Sequence, residues 1–436
     1  MTARLLMIGL DGADGKLLDR WSANGSLPHL AALRARGAAV RLCPPLGLTD
    51  DALWASFQYA VELGEHGRFF FRLPQEDGRE SKAHWREQNR ATFWDELSDD
   101  GRRVAILDVP KCGNPRPLNG LHLVDWLVHG RYFPKPRSQP RALARDVLAR
   151  FGPAPPSRCS YSGPDLDEHD ICEITANLRA GVAQKRAASL HYMAAEPWDL
   201  FVAVFKEAHC ASHGLWDARV DPEGVAEPVM AVLRDIDAAI GDLVAAAGPT
   251  AEVVVFTPTE MEANGSLNHL MPQIVERLNA RLAADHTGGR CAILRYSDNW
   301  TALRVSGDDQ IPVDPKLIKA IETQLLSLRD AKTGRTVVSA ITRPSSQLEG
   351  SRAKSLPDLL ILGVSGDFPA ALVSPSLGRI EGQSPSMRPG NHAAGGFVVA
   401  AGAVSGRAVE GMRTLAGLGA VAKALLEQSA ATRGVS

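Results

Sequence analysis

Short apolar runs alternate along the chain with longer segments whose apolar residues recur at helical spacing. Leu5 to Leu10 is continuously apolar and stops at Asp11-Gly12, as a strand buried on both faces of a parallel sheet would. Lys16 to Gly37 reads as helical with a break at Gly25 to Pro28. Ala38 to Leu42 follows as a strand, Pro44 to Asp51 as a loop, and Ala52 to Val61 as a helix. Arg103 to Leu107 is another apolar strand, closed by Asp108 and Pro110. Glu173 to Met193 is a long helix, Asp199 to Phe205 a strand running into a loop at His209, and Glu252 to Phe256 a further strand. Between the last two, Pro228 to Ala247 carries Val229, Val232, Leu233, Ile236 and Ile240 at helical spacing. This order predicts an α/β fold: a three-layer α/β/α, doubly wound, mostly parallel sheet.

The texture changes near residue 279. Cys291 to Arg295, Thr301 to Val305 and Thr336 to Ile341 are short strand-like runs flanking a helix near Pro315 to Leu328. Residues 279–354 are therefore expected to form a small inserted α+β subdomain, with 1–278 and 355–436 forming the core. Leu359 to Leu362 and Phe397 to Ala401 are read as strands resuming that core, and Leu415 to Gln428 as its closing helix. Pro134 to Pro140 and Gly152 to Pro164 are proline-rich loops.

Composition narrows the class. The chain has 436 residues, 45% hydrophobic and 22% charged, as ordinary soluble enzymes do. A formal net charge of -2 with no Lys/Arg run argues against a nucleic-acid partner. No apolar stretch approaches the roughly 18 residues of a membrane span, so no membrane partner is expected. The apolar start is interrupted by Gly9 and Asp11, so it reads as a strand and not a signal peptide. Six cysteines lie far apart without a C-x-x-C pair, which points to reduced thiols and a cytoplasmic protein.

Open α/β sheets place ligands at the carboxyl ends of their strands. Polar residues collect at those ends: Asp11; Thr49, Asp50 and Asp51; Glu207, His209 and His213; Thr257, Thr259 and Glu260; and His392 before the Phe397 strand. His209-x-x-x-His213 sets two imidazoles on one side of a helical turn, within reach of one divalent cation. Neither G-x-G-x-x-G, a P-loop, nor a G-x-S-x-G elbow is present, which leaves dinucleotide, nucleotide-loop and serine-hydrolase chemistry without support.

Ile8-Gly9-Leu10-Asp11-Gly12, Leu27-Pro28-His29-Leu30, Trp54-Ala55-Ser56-Phe57, Gly64-Glu65-His66-Gly67, His213-x-x-Trp216, Asp237-Ala238-Ala239-Ile240-Gly241, Pro357-Asp358-Leu359 and Gly390-Asn391-His392 occur in order along nearly the whole chain. Together they resemble the type I phosphodiesterase/nucleotide pyrophosphatase family of the alkaline-phosphatase superfamily. The resemblance implies an alkaline-phosphatase-like fold and a hydrolase of phosphate esters. In that family a Thr or Ser nucleophile bridges two metal ions.

It further implies a first metal held by His209, His213 and His392, where His209 replaces the family's usual Asp. A second metal would rest on Asp11 and the nucleophile loop. The family's Ser-Asp-His-Gly stands here as Thr257-Pro258-Thr259-Glu260, so two ligands of the second site are replaced. Counting back from Trp54 lands on Asp50, or on Thr49 with one extra residue; Thr49 is favoured because it carries a hydroxyl. Asp50, Asp51, Glu207, Thr259, Glu260 and His269 are further candidates for the site, and Arg388 a candidate clamp for an anionic substrate. Zinc is the expected metal, with manganese or iron as alternatives and one or two ions. The expected partner is a small phosphate or sulfate ester. A sulfatase, a phosphoryl transferase or mutase, and an inactive binding homologue are the alternatives on the same fold.

Overall fold

The computed structural model describes residues 3–43, 45–48, 51–70, 72–74, 80–82, 90–128, 133–157, 166–216, 227–297, 300–307, 313–364, 366, 368–383, 385 and 387–431. Its centre is an eight-stranded sheet. From one edge to the other it runs Ala38–Leu42, Gly396–Ala401, Glu252–Thr257, Ala3–Leu10, Trp198–Phe205, Val104–Leu107, Gly120–Val124 and Arg137–Gln139. The strands from Glu252–Thr257 to Gly120–Val124 are parallel; Gly396–Ala401 and Arg137–Gln139 run antiparallel to their neighbours.

Strand Ala3–Leu10 shows why its apolar run is continuous. Leu6, Ile8 and Leu10 enter one core with the helices Gly15–Ala23, Glu168–Ala195 and Glu227–Ala247. Leu5 and Met7, pointing the other way, enter a second core with the helices Asp51–Tyr59, Phe93–Asp99 and Ala416–Ala431. Alternate residues thus serve two buried faces, which gives the three-layer, mostly parallel, alkaline-phosphatase-like architecture.

A second, four-stranded antiparallel sheet runs Arg290–Tyr296, Trp300–Ser306, Leu359–Gly363 and Val338–Thr342. Helices Met271–Ala284 and Pro315–Leu326 cover it, and its apolar cluster runs from Leu267 to Ile380. From its apolar run, Leu359 to Leu362 is expected in the returning core. The structure instead pairs that strand with Trp300–Ser306 and Val338–Thr342. A short all-apolar run looks alike in either sheet, so its partners could not be read from it. The reading of Pro134 to Pro140 as loop likewise gives way to a short edge strand at Arg137–Gln139.

Candidate metal centre

Helix Glu207–Gly214 starts directly after strand Trp198–Phe205 and carries two candidate ligands one turn apart. The ring centroids of His209 and His213 are 4.3 Å apart. His392 arrives from strand Gly390–Ala393, which pairs antiparallel with Glu260–Ala263 and sets His392 opposite Met261. Its Nε2 lies 3.2 Å from Nε2 of His213 and 3.2 Å from Nε2 of His209. All three rings are buried, and their ligand nitrogens lie within 4.8 Å of one another.

The backbone makes this convergence possible at Gly390. A Cβ there would stand 1.8 Å from the Ser212 carbonyl oxygen, so only glycine lets the strand approach the helix this closely. The same approach puts the Gly390 carbonyl 2.7 Å from His213 Nδ1. A carbonyl only accepts, so Nδ1 is the protonated nitrogen and Nε2 presents its lone pair to the cluster. His392 Nε2 has at most one proton to share between its two neighbours. Around a tetrahedral zinc with Zn–N near 2.05 Å, adjacent ligand nitrogens stand about 3.3 Å apart. The 3.2 Å spacings fit that arrangement, and imidazole suits zinc and other first-row divalent ions.

The other candidates lie in different surroundings. Thr49 and Asp50 fall outside the described residues. Asp51 opens helix Asp51–Tyr59 and forms a buried ion pair with Lys111. Asp11 closes strand Ala3–Leu10, is buried, and accepts a 2.9 Å hydrogen bond from Trp54 Nε1. It does not join the three-histidine group. Glu207 is fully buried against Gly181, and burial raises its carboxyl above the usual range.

Thr259 donates its hydroxyl to the Ala393 carbonyl at 2.8 Å. Glu260 Oε1 accepts from Arg41 Nη1 at 2.6 Å, and Arg41 also pairs with Asp19. Glu260 does not join the three-histidine group, and the Thr259 hydroxyl is engaged by backbone carbonyls. His269 donates from Nε2 to the Pro369 carbonyl at 2.9 Å, on the side of the second sheet. Arg388 is buried, and its own carbonyl accepts from Asn264 at 2.8 Å.

Two features escaped the sequence. One is the Trp54–Asp11 bond, which an indole inside an apolar helix does not announce. The other is a buried charged group at the N-terminal end of the histidine helix. Asp108 adopts φ 60° and accepts from Lys185 Nζ at 2.5 Å, Lys206 Nζ at 2.9 Å and the Trp126 N–H at 3.0 Å. Burial alone would raise the Asp108 carboxyl, but the two ammonium groups pull it down to about 2. Asp108 was visible as a strand-end residue; Lys185, in mid-helix and fully buried, gave no signal.

The fold is that of an alkaline-phosphatase-like α/β protein, and its three buried imidazoles form a group that could hold a divalent ion. Residues 5–331 match the family described as type I phosphodiesterase / nucleotide pyrophosphatase. The chain belongs to that family, whose members are metal-dependent phosphoester hydrolases. Among solved structures it is similar to phosphonoacetate hydrolase from Sinorhizobium meliloti 1021 in complex with phosphonoformate. That match has TM-score 0.60 at 13% identity and covers 97% of this chain and 96% of that one. The same hydrolase with phosphonoacetate gives TM-score 0.56 at 14% identity, again covering 97% and 96%. Murine ectonucleotide pyrophosphatase / phosphodiesterase 5, in an inactive form with AMP, gives 0.52 at 10% identity, covering 98% and 95%. No curated protein matches the chain significantly. No helix among the described residues is long and apolar enough to cross a membrane.

Proposed function

We propose that this chain is a metal-dependent hydrolase of small phosphate esters. His209, His213 and His392 hold one divalent ion, with zinc the first choice and manganese or iron next. The convergence of three buried imidazoles at 3.2 Å spacings carries this reading. A bound ion supplies Lewis-acid stabilisation of negative charge on phosphoryl oxygens. Thr49 acts as nucleophile: its hydroxyl oxygen bonds to phosphorus as its proton passes to the ester oxygen, which departs as the alcohol, and water then cleaves the phosphothreonine, releasing phosphate and restoring the hydroxyl. Asp50 is the carboxylate next to it in the sequence.

The engagement of Thr259 with Ala393 and of Glu260 with Arg41 supports a single-ion centre in place of the family's two. Phosphonoformate, phosphonoacetate and AMP, bound by the similar proteins, all carry phosphorus, which supports a phosphorus substrate over a sulfate ester. Cys43, Cys112, Cys172, Cys210 and Cys291 are free thiols, in keeping with the cytoplasmic setting we assign.

Metal analysis of the purified protein, followed by assay on aryl phosphate monoesters, diesters and aryl sulfates, tests this reading. We expect near one equivalent of metal and activity on a phosphate ester that Thr49→Ala abolishes. Protein that stays metal-free after reconstitution, or that is inert on every phosphate ester with each metal, would overturn it.

A further inference from the structure

The charged group of Asp108, Lys185 and Lys206 lies at the start of the helix that carries two of the candidate metal ligands. All three side chains are buried to 1% exposure or less, which is costly unless the arrangement does something for the fold or for function. Its bonds run to the histidine helix by a short path. Lys206 occupies the position before helix Glu207–Gly214, and its carbonyl accepts from the His209 N–H at 3.1 Å. Its ammonium is held by Asp108 at 2.9 Å. Lys185, from helix Glu168–Ala195, binds both Asp108 and the Val204 carbonyl at 2.9 Å, and so fixes the strand end that feeds the helix. Asp108 keeps a left-handed backbone, a conformation that persists only where its surroundings impose it.

We infer that Asp108, Lys185 and Lys206 are positioning residues that set the height and rotation of the histidine helix, so that His209 and His213 meet His392. This rests on the metal-centre reading above. A triad that served stability alone would be replaceable by apolar residues of similar volume without effect on metal binding, since such replacements are often neutral or stabilising.

The full-length protein, stripped of metal, is titrated with Co2+ and followed by its visible absorption, whose intensity reports tetrahedral geometry. Circular dichroism reports folding independently. Wild type is compared with the triple variant Asp108→Leu, Lys185→Met, Lys206→Met. We expect the variant to fold, to bind Co2+ about tenfold or more weakly, and to show an altered band pattern, in line with the effect of outer residues on metal sites. Equal affinity and an unchanged spectrum in a folded variant would overturn the positioning role. Wild type that binds no Co2+ would instead overturn the metal-centre reading itself. Should the triple variant not fold, Lys206→Met alone carries the same comparison, because Asp108 there retains Lys185 and the Trp126 N–H.

Discussion

Trp54 donates its indole N–H to Asp11 Oδ1 across 2.9 Å, with both residues buried. The bond joins the end of the first strand to the helix that begins at Asp51. Gly9 makes room for it, since a Cβ there would stand 3.2 Å from the indole and 2.9 Å from Val204. Trp54→Phe keeps the ring packing against Phe57 and Phe256 but removes this donor from a buried carboxylate. We expect a loss of about 1–3 kcal/mol, read by urea unfolding. If Thr49 is the nucleophile we propose, activity should fall by more than this loss of stability explains, because the helix that begins at Asp51 loses its tie to the first strand. A variant as stable and active as wild type would show the bond to be incidental.

Gly390→Ala tests the close approach that assembles the imidazoles. Its Cβ would overlap the Ser212 carbonyl at 1.8 Å, so strand and helix must part. The His213 Nδ1 bond to the residue 390 carbonyl should go with it. We expect folded protein with markedly reduced metal content by elemental analysis, comparable to His213→Ala. His209→Asp, which puts a carboxylate where the family resemblance implies one, should keep its metal. Full metal content in Gly390→Ala would show that the site tolerates the separation.

Much of the layout was legible because the chemistry that creates it is local. Apolar runs ending in Asp11, Asp108 and the Glu207 segment marked strand ends, and the i, i+4 spacing of His209 and His213 survived into the helix. What stayed hidden depends on partners far along the chain. Glu260 looked like a spare carboxylate until Arg41 appeared beside it, and Thr259 like a poor ligand until its hydroxyl met Ala393. Leu359 to Leu362 was correctly read as a strand, but nothing within it specified which sheet would receive it.

Glu260→Gln separates a structural carboxylate from a replacement ligand. Its pair with Arg41 is partly exposed on the arginine side, with 43% of that side chain accessible, so screening limits its worth. We expect a stability loss below about 1 kcal/mol and unchanged metal stoichiometry. A drop in bound metal would instead assign Glu260 to the ion.

His122 and His66 offer a paired test of burial. Burial holds each imidazole near pKa 3, with Arg68 adding to the effect at His66. Both folded values lie below the ordinary 6.5, so the unfolded chain takes up the proton first. The stability each neutral ring confers is therefore complete above about pH 6.5 and is lost as pH falls toward 3, at about 1.4 kcal/mol per pH unit. Replacing either ring with Phe should remove that dependence, sparing about 2 kcal/mol of the loss between pH 7.5 and 5.0.

At pH 7.5 the two variants should part company. His66 Nδ1 accepts from the Arg68 N–H at 3.0 Å and its Nε2 lies 3.0 Å from Ser56 Oγ, so His66→Phe strands two buried groups and destabilises. Neither ring nitrogen of His122 has a partner among the described residues, and the ring stands edge-on to Trp94 at 5.8 Å beside a cleft of about 410 Å³. His122→Phe removes two unsatisfied nitrogens and should be neutral or stabilising at pH 7.5. Urea midpoints at the two pH values decide the matter. A destabilised His122→Phe at pH 7.5 would mean that those nitrogens are paired in solution, by water or by a bound molecule in the cleft.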